Sequence, residues 1–132
     1  MVTVCIRKRP LINNEYNDTV EIYQNNVIIN QPKKHVNLKK YTKKYSYKFP
    51  YVFSEQISNK QIFDTLLKNK IANKQNDNDL LFCVYGETGA GKTYTLLNQN
   101  GLVELTLRHL ILKKYSIYCT AYEIYNNRAY DL

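Results

Sequence analysis

The chain has 132 residues, 44% of them hydrophobic, which is one domain's worth at most and enough to bury a small core. Lysine and arginine outnumber the acids 19 to 11, and the net charge of +8 favours an acidic partner: nucleic acid, an anionic membrane surface or an acidic protein surface. The base composition of the gene is an equally simple source of the lysines, because Asn, Ile and Tyr are abundant as well.

The spacing of the cysteines and the N-terminal residues indicate in which cellular compartment the protein resides. Cys5, Cys83 and Cys119 lie in apolar stretches and form no C-x-x-C pair, which disfavours a zinc site and predicts buried free thiols. No basic lead precedes a long apolar run, and no stretch approaches the roughly 18 apolar residues of a membrane span. We therefore expect a cytoplasmic protein without a membrane partner.

Short β-prone runs occupy the first part of the chain. Residues 2–6 predict a strand, residues 13–18 a polar turn, and Val20–Tyr23 with residues 27–29 a hairpin. Residues 32–48 contain seven lysines and no acid, and we expect a basic loop there. Residues 47–53 predict a further strand or extended segment.

Helical and apolar patterns follow. Ser54 or Ser58 is suited to cap a helix over residues 59–71, and residues 73–79 predict a loop. The continuous apolar run at 80–85 is typical of a strand buried on both faces. A helix beginning near Tyr94 is interrupted at 98–101 and resumes over Leu102–Leu112, and residues 117–125 predict a last strand. The alternation favours an α/β fold with a sheet that is at least partly parallel.

A phosphate-binding motif lies directly after the apolar run. It matches G-x-x-x-x-G-K-[ST] at every fixed position through Gly86, Glu87, Thr88, Gly89, Ala90, Gly91, Lys92 and Thr93. Glycines let successive backbone N–H groups point at phosphate oxygens, and the lysine reaches the β- and γ-phosphates. The threonine hydroxyl is a hard oxygen ligand of the kind that Mg²⁺ prefers. This P-loop, residues 86–93, therefore predicts a site for a nucleoside triphosphate with Mg²⁺.

Hydrolysis requires more than this loop. A P-loop hydrolase also needs an acidic group near Mg²⁺ and a residue that places the attacking water. After Thr93 the only acids are Glu104, Glu123 and Asp131, and none ends an apolar strand. We therefore assign no catalytic residue within this chain.

Four stretches, in order, resemble the kinesin motor domain. The run F-C-V-Y-G-E-T-G-A-G-K-T-Y-T-L around the P-loop is similar to the family's phosphate loop. Residues 5–11, 49–62 and 122–132 resemble its R-x-R-P, F-x-x-V-F and E-I-Y-N-E…D-L-L segments. The resemblance spans essentially residues 1–132. It implies a P-loop NTPase fold with a central sheet flanked by helices, ATP and Mg²⁺ as ligands, and microtubule-associated ATP hydrolysis in the parent motor.

The resemblance also implies roles for residues outside the P-loop. Arg7 and Pro10 would flank the adenine, and Tyr94 would pack near it; a solvated strand-end cation and simple helix packing are the alternatives for Arg7 and Tyr94. The basic segment would face acidic tubulin through Lys33, Lys34, Lys39, Lys40, Lys43 and Lys44. A solvated hairpin is the alternative there, and stacking of its tyrosines on single-stranded nucleic acid is a weaker one, so we expect no nucleic-acid partner.

Two details refine the resemblance. Residues 7–11 and 32–41 are similar to the microtubule-depolymerising internal-motor class, kinesin-13, but its K-V-D tip reads His35-Val36-Asn37 here and lacks the carboxylate. The chain ends before the family's N-x-x-S-S-R-S-H and D-L-A-G switch stretches. We expect an N-terminal portion of a motor domain, truncated before the switches.

Two other functions stay open. One is a non-catalytic relic that binds nucleotide or tubulin without turnover. The other is a small P-loop nucleotide kinase, which would need a lid with arginines, and only Arg108 and Arg128 follow the loop.

Overall fold

The structure is a computed structural model, and it describes residues 2–12, 17–72 and 79–132. The strands in these ranges are β1 Cys5–Arg7, β2 Val20–Tyr23, β3 Asn26–Lys34, β4 Lys40–Lys48, β5 Tyr51–Phe53, β6 Tyr122–Tyr125 and β7 Arg128–Asp131. The helices are α1 Asn59–Leu66, α2 Lys68–Ala72, α3 Lys92–Leu96 and α4 Leu102–Leu112. Most of the predicted turn at 13–18 and of the predicted loop at 73–79 lies outside the described residues.

A short parallel pair joins the first strand to the fifth. Cys5 lies opposite Tyr51 and Arg7 opposite Phe53, and the backbone N–H of Lys8 donates to the Phe53 carbonyl at 2.9 Å. Strands paired in parallel need a long connection between them, and here the β2–β4 segment supplies it. The prediction of a partly parallel sheet is confirmed.

The basic segment is a β-hairpin rather than the expected loop. Strands β3 and β4 are each nine residues long and pair antiparallel from Asn26↔Lys48 to Lys34↔Lys40, with β2 added along the base of β3. A two-stranded ribbon does not bury its side chains, so its lysines stay solvated while the alternating tyrosines and hydroxyl residues favour the strand. Pro32 is tolerated because β2 pairs only with positions 26–29 of β3.

The predicted helices are present, with one interruption. Ser58 caps α1: its hydroxyl accepts from the Gln61 N–H, and the Gln61 side chain accepts from the Ser58 N–H. The helix expected over 59–71 is interrupted at Leu67 and continues as α2. The expected bounds of α4 are confirmed.

A small core lies between α1, α4 and β5. Its buried members are Phe53, Ile62, Phe63, Leu66, Leu67, Leu102 and Leu105. The Phe63 ring also meets the His109 ring edge-on, with 5.8 Å between ring centroids. Cys5 of β1 packs against this core, which places the strand that carries Arg7 beside α1.

Three predicted strands are wrong in whole or in part. The strand expected at residues 2–6 is displaced to Cys5–Arg7. Residues 80–85 form no strand, and Leu81 and Tyr85 are exposed at 85% and 100%. A strand buried on both faces needs neighbours at both edges, and no described strand pairs with this run. Of residues 117–125 only β6 is a strand; it pairs with β7 through a turn at Asn126 and Asn127, with φ of 48° and 57°.

The three thiols are free, as predicted, but the prediction that they are buried is wrong for two of them. Cys83 and Cys119 are exposed because the runs that contain them do not pack, whereas Cys5 is half-buried against the core. Among the described residues, none of the helices is long and apolar enough to cross a membrane.

Candidate functional site

The P-loop residues form a tight turn that leads into helix α3. Gly89 and Gly91 have φ of 82° and 90°, in the left-handed region that favours glycine. Gly91 is also the N-cap of α3 and makes no side-chain hydrogen bond there, so the N–H groups of the first turn are left for another acceptor. The Ala90 N–H donates to the Glu87 carbonyl at 3.0 Å and closes the turn. The local geometry is that of an anion cradle at a helix start.

The P-loop lysine lies across the mouth of this turn. Lys92 Nζ donates to the carbonyl oxygens of Gly86 and Glu87, both at 2.9 Å. A Cβ added to Gly86 would lie 3.0 Å from the Ala90 Cβ, so the turn is too closely packed for a side chain there. Two charge-assisted hydrogen bonds to the loop backbone thus hold the ammonium group at the P-loop, where it would meet phosphate oxygens.

The side chains present fit a triphosphate with Mg²⁺. Thr93 is exposed next to Lys92, which leaves its hydroxyl accessible to a cation. In the described part of the chain no cluster of three or more His, Cys, Asp or Glu side chains is suited to hold a metal. Mg²⁺ keeps several waters and takes most of its other ligands from the nucleotide's phosphates, so nucleotide binding does not require a cluster of acidic side chains. Hydrolysis still needs the acidic group near Mg²⁺ that was not found after Thr93.

Arg7 connects the first strand to the P-loop helix. Its Nη1 donates to Asn59 Oδ1 at 2.5 Å and to Thr95 Oγ1 at 2.9 Å, and its Nη2 donates to the Ile57 carbonyl at 3.1 Å. The guanidinium carbon lies 5.3 Å from the centroid of the Tyr94 ring. Burial lowers the pKa of Arg7 below its ordinary value, while Tyr94 opposes that shift. Arg7 is therefore not the solvated strand-end cation of the alternative interpretation.

Asn59 is a residue of the site whose role the sequence pattern did not predict. It is 5% exposed and is the buried polar side chain of the described core. Its Oδ1 accepts from Arg7, and its Nδ2 donates to the Tyr94 carbonyl at 3.1 Å. Thr95 adds a second link, because its hydroxyl accepts from Arg7 and donates to the Gly91 carbonyl at 3.0 Å. We call Arg7, Asn59 and Thr95 the clasp.

The residues expected around adenine are only partly assembled. Arg7 and Tyr94 are in contact, and the Tyr94 side chain remains 55% exposed. Pro10 is exposed, and its carbonyl accepts from Arg9 Nη1 at 3.0 Å. A cavity of about 420 Å³ lies between β1 and the β2–β4 sheet; Arg7 and Ala90 line it, but Tyr94 and Pro10 do not.

The six lysines predicted to face tubulin lie on the β3–β4 hairpin and its tip. At the tip, the His35 and Tyr41 rings stack at 4.2 Å between centroids, Val36 is fully exposed, and Leu38 has φ of 65°. The lysines therefore lie on a two-stranded hairpin that is about 40 or more positions before the P-loop in the sequence.

A comparison with protein families decides the assignment. The family model described as the kinesin motor domain matches residues 7–132. This chain belongs to the kinesin motor domain family. The fold is accordingly that of the P-loop NTPases, and kinesin motor domains as a family bind nucleotide with Mg²⁺ and associate with microtubules.

Relatives of this kinesin chain cover nearly all of it. The mouse protein named kinesin-like protein KIF24 is 29% identical over 147 aligned positions, which cover 99% of this chain and 11% of that protein. The human protein of the same name is 28% identical with the same coverage.

Solved motor domains agree in fold. The C-terminal motor domain of Kar3 from Candida glabrata superposes with a TM-score of 0.69 at 25% identity, over 98% of this chain and 47% of that one. The motor domain of the Kar3-like kinesin from Ashbya gossypii gives 0.58 at 28% identity, over 84% and 36%. The chain thus spans about a tenth of the curated relatives' length and less than half of each solved motor chain.

Proposed function

We propose that this kinesin chain is the nucleotide-binding part of a motor domain, with residues 1–132 as one structural unit and the P-loop as its ATP site. The geometry of residues 86–93 carries this proposal, because two left-handed glycines, an uncapped helix start and a lysine at the mouth are the features that a triphosphate requires. We assign phosphate contacts to the backbone of the loop and to Lys92.

We propose Thr93 as the protein ligand of Mg²⁺, which when bound would supply positive charge to offset the charge of the triphosphate. We propose Tyr94 and Arg7 as contacts of the adenine, with Pro10 beside them. The contact between Arg7 and Tyr94 supports the first two assignments. The assignment of Pro10 as an adenine contact rests on the family resemblance alone.

Microtubules are the proposed partner, and ATP hydrolysis coupled to movement or depolymerisation is the proposed activity of the longer motor. The exposed lysines of the hairpin support an acidic partner. Membership of the internal-motor class, kinesin-13, is a further proposal that rests on residues 7–11 and on the hairpin segment.

Binding of a fluorescent ATP analogue with Mg²⁺ tests the nucleotide site. We expect Lys92→Ala to weaken binding by about 10- to 100-fold, the value of a charged hydrogen-bonding group. Lys113→Ala removes an equal charge from an exposed site at the end of α4 and should leave affinity unchanged. Equal affinities for the two variants would refute the assignment of the P-loop as the ATP site.

A further inference from the structure

The two faces of the β2–β4 sheet differ in chemistry. Directly opposed residues of an antiparallel pair share a face, and successive residues alternate. By this register the first face carries Val20, Ile22, Val27, Ile29, Gln31, Lys33, Tyr41, Lys43, Tyr45 and Tyr47. The second carries Glu21, Tyr23, Asn26, Ile28, Asn30, Pro32, Lys34, Lys40, Thr42, Lys44, Ser46 and Lys48. We call them the inner face and the outer face.

The inner face is turned toward the body of the molecule at its base. Val20, Ile22 and Val27 line the cavity that also contacts Ile6 of β1, and Val27 is buried. Both of its lysines lie beside Tyr45. Lys43 Nζ is 5.0 Å from the Tyr45 ring centroid, and the half-buried Lys33 interacts with the Tyr45 phenol group.

The outer face presents four lysines without partners. Lys34, Lys40, Lys44 and Lys48 are exposed, and within the described part of the chain none of them forms an ion pair. Lys34 and Lys40 are directly opposed. Like charges in that arrangement destabilise a hairpin, and a bound anion relieves the repulsion.

The order of groups along β4 forms a continuous row of donors. Its outer positions read Lys40, Thr42, Lys44, Ser46 and Lys48, which is a cation or a hydroxyl at every second residue. Alternate residues of a strand lie about 6.8 Å apart, so the row is about 27 Å long. The nearest acid on this face, Glu21, accepts a hydrogen bond from Asn30 at 2.7 Å and lies on β2, beyond the opposite edge of β3.

We infer that the outer face of the hairpin binds an acidic, extended polypeptide segment, and that the inner face does not. This inference rests on the proposed function, since it specifies the surface and the chemistry by which the partner is recognised. Carboxylates match both lysines and hydroxyls as donors. Nucleic acid fits less well, because the hairpin tyrosines Tyr41, Tyr45 and Tyr47 lie on the inner face and the outer face has no arginine. The one tyrosine on the outer face, Tyr23, lies on β2, away from the row of lysines on β4.

Two double variants with equal charge separate the faces. Lys40→Gln/Lys44→Gln removes two outer charges, and Lys33→Gln/Lys43→Gln removes two inner ones. The probe is a fluorescein-labelled oligoglutamate peptide, followed by anisotropy in low-salt buffer. We expect the outer variant to weaken binding by about fivefold, as two exposed charge pairs would, and the inner variant to change it by less than about twofold. Circular dichroism checks that both variants keep the hairpin.

Three results would overturn the inference. Equal losses in both variants would show that total charge matters and the face does not. Tighter binding of oligothymidylate or of phosphatidylserine vesicles than of oligoglutamate would assign the face to another class of partner. Absence of oligoglutamate binding by the unsubstituted chain would reject the acidic peptide. Co-sedimentation with microtubules then tests the proposed partner separately. If both variants still pellet with microtubules, the proposal of a microtubule partner stands and only the assignment of the outer face is rejected.

Discussion

The hydrogen bonds of the clasp predict that replacing Asn59 lowers the stability of the fold. Replacement by alanine removes the acceptor for Arg7 Nη1 and the donor to the Tyr94 carbonyl at a position that is 5% exposed. Arg7 keeps Thr95 Oγ1 and the Ile57 carbonyl as acceptors, so its charge stays partly compensated. The Tyr94 carbonyl loses its side-chain donor.

The magnitude follows from the two bonds. A hydrogen bond to a charged group contributes about 1.5–3 kcal/mol and one between neutral groups about 0.5–1.5 kcal/mol. Because Arg7 retains two partners, we place the loss at about 2–3 kcal/mol of the free energy of unfolding. Natural domains have about 5–15 kcal/mol in total, so the change is large for a core of this size.

Urea unfolding followed by far-UV circular dichroism measures this loss. Asn59→Asp keeps an acceptor for Arg7 and loses the donor, so we expect about 1 kcal/mol there. Lys113→Ala, at an exposed position at the end of α4, serves as the control and should stay within about 0.5 kcal/mol. A loss below about 1 kcal/mol for Asn59→Ala would refute the clasp as described.

A second measurement separates positioning from general stability. Asn59 hydrogen-bonds to Arg7 and to the backbone of Tyr94, the two residues proposed to contact adenine, and neither bond involves a residue of 86–93. We expect Asn59→Ala to weaken Mg-ATP binding by about fivefold, equal to about 1 kcal/mol, and Mg-tripolyphosphate binding by less than about twofold. Equal losses for both ligands would mean that Asn59 acts only by stabilising the fold.

Three further predictions concern packing and reactivity. Phe63→Ala should cost about 3–5 kcal/mol in urea unfolding, because the ring is 3% exposed within the core; a cost below about 1 kcal/mol would contradict the packing. Gly101→Ala should cost about 1–3 kcal/mol, because its Cβ would lie 2.5 Å from the Leu96 carbonyl oxygen, whereas an unchanged midpoint would show that the α3–α4 junction relaxes freely. Burial raises the pKa of the Cys5 thiol and so lowers its thiolate fraction near pH 8; iodoacetamide with mass mapping should label Cys83 and Cys119 first.

Local features of this kinesin chain were predictable from sequence. The G-x-x-x-x-G-K-[ST] pattern located the P-loop, because left-handed glycines and a following helix are requirements of the backbone itself. The helical spacing of Leu102–Leu112 and the cap at Ser58 were equally local, and the structure confirms both. The ordered motifs also carried the family assignment, which the match over residues 7–132 confirms.

Features that depend on distant partners were not predictable. The apolar run at 80–85 matches a buried strand, but a strand exists only where other strands hydrogen-bond to it, and periodicity does not report their presence. The high positive charge of the basic segment 32–48 predicted a loop, whereas its alternating side chains form a β-hairpin. Only the pairing register showed that the lysines divide between two faces.

The sequence by itself determined that this chain carries a phosphate cradle of the kinesin type, because that site is built from consecutive residues whose backbone conformations are set locally. The tertiary structure alone decided what surrounds it. Asn59 and Thr95 lie 52 and 88 positions after Arg7 along the chain. The three residues meet only because β1 and α1 pack beside α3. A contact between distant residues is produced by packing of whole elements, which no local pattern encodes.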